Sequence, residues 1–267
     1  MGPSPSPSTS PFVLTLVVPS RNEGPSLGPV LREWWRHRPP GVEYEILVVD
    51  DASADSTPEV LHEVSREFPV RWIRNSAPLG FGGALRTGIR ETKTDWVAFA
   101  DADGQYDPDD LPRMLEAASA GSDLVVGVRS PRVDPFARIA LSIGFRGLLY
   151  AFFRCRSKDP TTSLKLGRTQ KVQAVAQSVR YMNGSFWNEF MIRWVRAGNP
   201  FFEVRVRHRP RQDGQSKVAS RSSVLRVSAQ QLLALVRVWR EFHPRSRSFP
   251  PDLRATGRGP PFPPGPG

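Results

Sequence analysis

The sequence predicts an α/β domain built on a mostly parallel sheet covered by helices, and two observations carry that prediction. From Phe12 to about Ser130, apolar and β-branched runs alternate with helix-period runs, which is the pattern of strand–helix–strand units. Two of these strands end in carboxylates, Asp50-Asp51 and Asp101-Ala102-Asp103, and ligands of such sheets bind beyond the C-terminal ends of the strands. With 267 residues, 39% of them hydrophobic, the chain can bury one large core.

The elements follow in order. Phe12 to Val18 is a β-rich run ended by Pro19, and a helical stretch covers Leu27 to Arg36. Tyr44 to Val49 is the next strand. Thr57-Pro58-Glu59 places a capping residue, a proline and an acid where a helix begins, so a helix should run to about Phe68. Val70 to Arg74 is a short strand, and Gly80, Gly82 and Gly83 open a helix through about Thr92. Trp96 to Ala100 is a buried strand, Pro108 to Ala120 a helix, and Asp123 to Val128 a strand leading to Arg129. Beyond these come a basic amphipathic helix over Phe136 to Arg154, a short extended piece near Thr162 to Leu166, and helices over Lys171–Val179 and Phe186–Ala197. A strand over Phe201–His208 and a helix from about Val218 to Phe242 end the folded region.

The ends read differently. Residues 1–11 are mostly Pro and Ser without the basic and apolar regions of a signal peptide, and predict a disordered leader. Residues 243–267 are rich in Pro, Gly and Arg and predict a disordered tail, leaving a domain over 12–242. Cys155 is the single cysteine, which excludes an intrachain disulfide and a cysteine metal cluster and fits the cytoplasm. No run reaches the ~20 apolar residues of a spanning helix, so membrane contact would be peripheral or through a membrane-spanning partner. The net charge of +11 points to an anionic partner. Zinc-ligand spacing, an RNA-sheet motif and a segregated basic arm are all missing, which argues against nucleic acid.

Asp101 and Asp103 lie two apart just past a strand, where a turn at Gly104 would aim both carboxylates at one point. That suits a hard divalent cation, Mg²⁺ or Mn²⁺, which takes oxygen ligands and shares them with substrate phosphates. Gln105 would add a carbonyl oxygen. An isolated Asp-x-Asp is more often a solvated turn; the strand context favours the site.

At these residues the sequence resembles the family 2 glycosyltransferases, and among them the polyprenyl-phosphate sugar synthases typified by dolichyl-phosphate mannose synthase. The likeness runs from Val13 to Val227. Its pieces, in order, are Val-Val-Pro-Ser-Arg-Asn-Glu-Gly from Val17, Val-Asp-Asp-Ala-Ser-Ala-Asp-Ser-Thr from Val49, Asn75 with Gly80, Gly83 and Ala84, and Asp101-Ala102-Asp103-Gly104-Gln105. Val-Gly-Val-Arg from Val126, Lys-Asp-Pro-Thr-Thr-Ser-Leu-Lys from Lys158 and Arg211-Gln-Asp-Gly-Gln-Ser-Lys217 complete it. Each piece is weak alone, but seven in the family's order are specific. Arg21 stands where an aromatic is usual, and Ala52 and Ser163 replace glycines.

The resemblance implies a single GT-A-like, Rossmann-like domain that binds a nucleotide-sugar. Pro19, Arg21, Glu23, Val49, Asp50 and Asp51 would line the base and ribose, with Gly83 and Ala102 nearby. Asp101, Asp103 and Gln105 would hold the metal on the diphosphate. Arg129, Arg211 and Lys217 would be cations near the phosphates, while Arg138 and Ser142 would meet the acceptor phosphate. Glu189 matches an acid of the family that either positions substrate hydroxyls or structures the site. The implied reaction moves a hexose, mannose or glucose, from a GDP- or UDP-linked donor to dolichyl or undecaprenyl phosphate, at the cytoplasmic face of the membrane. A phosphate monoester is largely a dianion at neutral pH, so no strong general base is required. Two other readings compete. One is a family 2 enzyme acting on a polysaccharide or protein-linked sugar; the other is a non-catalytic membrane-associated scaffold. Phe190 stands where processive polysaccharide synthases carry Gln before Arg193-Trp194, and both aspartates are retained.

Overall fold

The computed structural model describes residues 12–131, 136–210 and 221–243. The seven strands are β1 (Val13–Ser20), β2 (Glu43–Asp50), β3 (Val70–Arg74), β4 (Trp96–Phe99), β5 (Leu124–Arg129), β6 (Lys165–Arg168) and β7 (Phe202–Val206). The α-helices among the described residues are α1 (Gly24–Arg36), α2 (Thr57–Glu67), α3 (Phe81–Glu91), α4 (Leu111–Ser119), α5 (Phe136–Phe153), α6 (Thr169–Ala176), α7 (Phe186–Arg196) and α8 (Arg221–Phe242). The strands form one sheet in the order β3-β2-β1-β4-β6-β5-β7. Only β6 opposes the others, pairing antiparallel with both β4 and β5. The β1, β2, β4 and β5 ends therefore share one edge.

Alternation along the strands divides the core. Leu14, Leu16 and Val18 of β1 pack with α1, α2 and α4 on one face, while Val17 packs with α3, α6, α7 and α8 on the other. Burial on both faces explains why the central strands read as near-continuous apolar runs.

Most predicted elements are present, with shifted ends. β1 continues through Pro19, which the sequence takes as its end. The odd residues of β1 face β4, as the bond from Ala100 N to Val17 O shows, and β4 stops opposite Val17. The missing N–H of Pro19 thus falls where no partner strand remains. Ser56, not Thr57, caps α2; Thr57 Oγ1 instead accepts from Glu23 N at 3.1 Å. The helix expected from Pro108 begins as a 3-10 turn over Pro108–Asp110. The extended piece at Thr162–Leu166 becomes β6, three residues later than expected.

The leader 1–11, Arg211, Lys217 and the tail from 244 lie outside the described residues, as does the side chain of Arg138.

Candidate active site

At the ends of β1 and β2, Ser20 and Asp50 are register partners. The loops that follow are laced together by hydrogen bonds from Asn22 N to Ser53 Oγ (2.9 Å), Ala54 N to Asn22 Oδ1 (2.9 Å) and Gly24 N to Asp55 Oδ2 (3.1 Å). Ala52 sits at φ +54°, a left-handed conformation that costs an alanine about 1–2 kcal/mol and a glycine little. The laced loops hold it there. Asp50 is buried; its Oδ1 accepts from Ser53 N at 3.0 Å, and its Oδ2 lies 3.1 Å from Arg74 Nη1 without a well-directed hydrogen bond. The buried Ser20 hydroxyl likewise has no hydrogen-bond partner among the described residues. Buried polar atoms are normally paired, so these two adjacent strand ends keep hydrogen-bonding capacity for a ligand. Pro19 and Val49 pair one step back, Glu23 is half-buried and Arg21 is exposed.

Asp51 does something the sequence did not disclose. Its buried carboxylate accepts from Asn75 Nδ2, Leu79 N and Gly80 N, each at 2.8 Å. It fixes the loop that enters α3. The glycines there are steric. A Cβ on Gly82 would lie 2.6 Å from Asn183 O, and one on Gly83 would lie 2.3 Å from Leu79 Cβ.

The β4 end carries the paired carboxylates. Gly104 turns the chain at φ +73°, and Gln105 N donates to Asp103 Oδ1 at 3.2 Å. Ser26 Oγ donates to Ala102 O at 3.0 Å, tying the turn to α1. Gln105 Nε2 and Arg209 N bond across to Arg209 O and Gln105 O at 3.3 and 2.8 Å, which brings the turn against the chain two residues before Arg211. Burial first, and then the charge of Asp103, push the Asp101 carboxyl up to about 7. Among the described residues no three His, Cys, Asp or Glu side chains are grouped to hold a metal. A cation here would therefore take two carboxylates and complete its shell from amide, substrate and water oxygens, which fits Mg²⁺ or Mn²⁺. The mutual repulsion that raises Asp101 is what such a cation relieves.

Arg129 ends β5, its guanidinium largely buried. Nε and Nη2 donate to Asp159 at 2.7 and 2.9 Å, and Nη2 donates to Thr161 Oγ1 at 2.8 Å. Ser142 is half-buried on α5, and Arg146 Nη1 donates to Lys158 O at 2.7 Å, pinning α5 to the segment that holds Arg129. Arg138 lies in the first turn of α5. Asp159, Asn183 and Ser20 have structural parts that sequence reasoning missed. For Asp159 the signal was its place beside Thr161 in the Lys158–Lys165 run.

Of the two roles the sequence leaves open for Glu189, its surroundings favour the structural one. Fully buried on α7, it accepts from Arg180 N (2.9 Å), Tyr181 N (2.7 Å), Met182 N (2.8 Å) and Arg193 Nε (2.8 Å). Both oxygens are committed to the fold.

A mostly parallel sheet flanked by helices, with carboxylates gathered at the C-terminal ends of its strands, is a GT-A-like fold. The glycosyl transferase family 2 model matches residues 15–186, and the chain belongs to that family. It is 38% identical over 109 residues to a dolichol-phosphate mannosyltransferase of Pyrococcus furiosus, covering 39% of this chain and 31% of that protein. It is 29% identical over 211 residues to an undecaprenyl-phosphate 4-deoxy-4-formamido-L-arabinose transferase of Edwardsiella ictaluri, covering 76% of this chain and 62% of that one. The chain thus spans less than two thirds of either relative. Its fold is similar to the crystal structure of glucosyl-3-phosphoglycerate synthase from Mycobacterium tuberculosis in complex with Mn²⁺, UDP and phosphoglyceric acid, with a TM-score of 0.67, 18% identity, and coverage of 86% and 80% of the two chains.

Proposed function

We propose that this chain transfers a hexose from a GDP- or UDP-linked donor to a polyprenyl phosphate, with inversion at the anomeric carbon. The observation that carries the reading is the meeting, at one sheet edge, of the Asp101–Asp103 turn with the clamped Arg129. One centre suits a metal-bound diphosphate and the other a second phosphate. Ser20, through its hydroxyl, and Asp50, whose Oδ2 is ion-paired to Arg74 without a well-directed hydrogen bond, would meet the base and ribose. Asp101 and Asp103, with Gln105, would hold Mg²⁺ or Mn²⁺, which when bound neutralises the departing diphosphate. Arg129, anchored by Asp159 and Thr161, would supply positive charge beside the acceptor phosphate, and Arg138 and Ser142 would contact it directly. As the new C–O bond forms, the bond to the diphosphate breaks and its electrons leave with the diphosphate.

A lipid acceptor is supported by α5 and α8. Leu141, Ile143, Tyr150 and Phe152 of α5 are exposed, as are Leu232, Leu233, Val236 and Trp239 of α8. The helices meet through Phe152 and Trp239, ring centroids 6.5 Å apart. No helix among the described residues is long and apolar enough to cross a membrane. An apolar surface bordered by Arg146, Arg154 and Arg156 suits peripheral seating on an anionic leaflet, which we place on the cytoplasmic side. The deciding experiment incubates the protein with GDP- and UDP-sugars, polyprenyl phosphate and Mg²⁺ or Mn²⁺. Radiolabelled sugar should enter the organic phase; its absence with every donor would reject the reading.

Two variants separate the substrates. Asp51→Ala releases Asn75, Leu79 and Gly80 from their shared carboxylate, so calorimetric affinity for the nucleotide should fall by about tenfold or more, since charge-assisted bonds contribute roughly 1.5 to 3 kcal/mol each. Unchanged affinity would remove this loop from donor binding. Arg138→Ala should instead raise the acceptor KM or lower turnover on the order of tenfold to a hundredfold with nucleotide affinity retained. Parallel loss of nucleotide binding would assign Arg138 to the donor or the fold.

A further inference from the structure

Lys165 is the fully buried first residue of β6, wedged between Phe99 of β4 and Val126 of β5. A lysine rarely occupies a core without full satisfaction of its ammonium. Here Nζ donates to Pro160 O at 3.2 Å and to Thr162 O, and it lies 4.5 Å from the ring centroid of buried Trp187. Both carbonyls belong to one short segment, 159–163, and that segment touches the two halves of the proposed site. At its start, Asp159 and Thr161 grip Arg129. At its end, Ser163 favours the ionised Asp101 carboxyl against the burial that raises it, while Ser163 N donates to Tyr106 Oη at 3.0 Å, just past the Asp101–Gln105 turn. The ammonium is thus the internal tie of the strap joining the diphosphate side to the acceptor side. Burial lowers its affinity for a proton to about 7, opposed chiefly by Asp159.

We propose that Lys165 is a positioning residue that fixes Arg129 relative to Asp101 by holding the backbone of the 159–163 strap. The inference rests on the transferase reading for what those two groups bind. Lys165→Met keeps the side-chain length but leaves two buried carbonyls without their donor. The strap should relax, moving Arg129 and Asp101 while leaving the Ser20 and Asp50 wall in place.

The test is calorimetry of UDP and GDP binding with and without Mn²⁺, beside acceptor kinetics. In the variant, nucleotide affinity without metal should stay within about twofold of the parent. The gain in affinity on adding Mn²⁺ should shrink by about tenfold, and the acceptor KM should rise by about tenfold. A folded variant with both quantities unchanged overturns the proposal. So does a variant that loses metal-free nucleotide affinity to the same degree, because that marks general damage. If Lys165→Met does not fold, Lys165→Gln, which retains an N–H donor for one carbonyl, is measured in the same way, and smaller shifts in the same two quantities are required of it. A parent protein that neither gains affinity with Mn²⁺ nor transfers sugar would fail the transferase reading itself and take this inference with it. A competent parent with an indifferent variant fails the inference alone.

Discussion

Asp103→Asn is expected to lower turnover at least on the order of a hundredfold, with the fold intact. The side chain stays nearly isosteric and Gln105 N keeps an oxygen to donate to, so the turn should survive. What is lost is one of the two paired carboxylates that this strand end offers a cation among the described residues. Removing one main electrostatic contact to a developing charge costs on the order of a hundredfold or more, and steady-state kinetics with saturating donor will read it. Near-parent turnover, or full parent activity in excess chelator, would remove the metal from the reaction.

The same pair sets the sign of a pH dependence. Asp101 titrates at about 7 in the folded protein because of burial and the Asp103 charge, against roughly 3.9 in an unfolded chain. Between those values the folded metal-free protein holds a proton that the unfolded chain has lost. The resulting stability is complete below the unfolded value and disappears as pH rises through 7. A cation bound to the ionised pair works in the opposite direction, so Mn²⁺ should raise the melting temperature more at pH 8 than at pH 6. Equal stabilisation at both would show that the pair does not bind it.

The fold was legible where local chemistry and tertiary role agree. β3 and the bounds of α7 follow from propensity and periodicity alone, because Val70, Trp72 and Ile73 form a short β-rich run and α7 turns Phe186, Trp187, Phe190, Met191 and Trp194 inward. β6 was harder to see. Four residues, one of them a lysine, carry no alternation, and only the antiparallel slot between β4 and β5 makes them a strand. The site shows the same limit. Asp101 and Asp103 announce themselves because a turn right after a buried strand sets two carboxylates side by side. Asp51 and Glu189 look identical to ligand groups in a sequence, yet Asp51 accepts from the Asn75 side-chain amide and from backbone N–H groups 28 and 29 residues downstream, and Glu189 from backbone N–H groups 7 to 9 residues upstream. Family resemblance places such an acid near a site; only the partner list separates a residue that binds from one that builds.

That distinction makes Glu189 the most exacting stability test. Its carboxylate, wholly inside α7, takes three successive backbone N–H groups and the Arg193 guanidinium. Arg193 continues to Glu241 of α8 with two bonds of 3.0 and 2.9 Å. On the other side, Asn183 reaches the loop held by Asp51, its Nδ2 donating to Leu79 O at 2.8 Å. In Glu189→Gln an amide NH₂ faces donors, so at least one backbone N–H or the guanidinium loses its acceptor inside the core. Breaking a buried charged pair from one side costs about 3 to 5 kcal/mol, which in a domain of this size lowers the melting temperature by roughly 10 °C. Nucleotide affinity should fall with it, because the 180–183 segment and the Gly80–Gly83 loop lose their common support. Thermal denaturation and calorimetry on the same sample decide the matter. A variant that melts with the parent but has lost turnover would return Glu189 to the substrate, whereas one that melts early and recovers its turnover when assayed well below its transition belongs to the architecture.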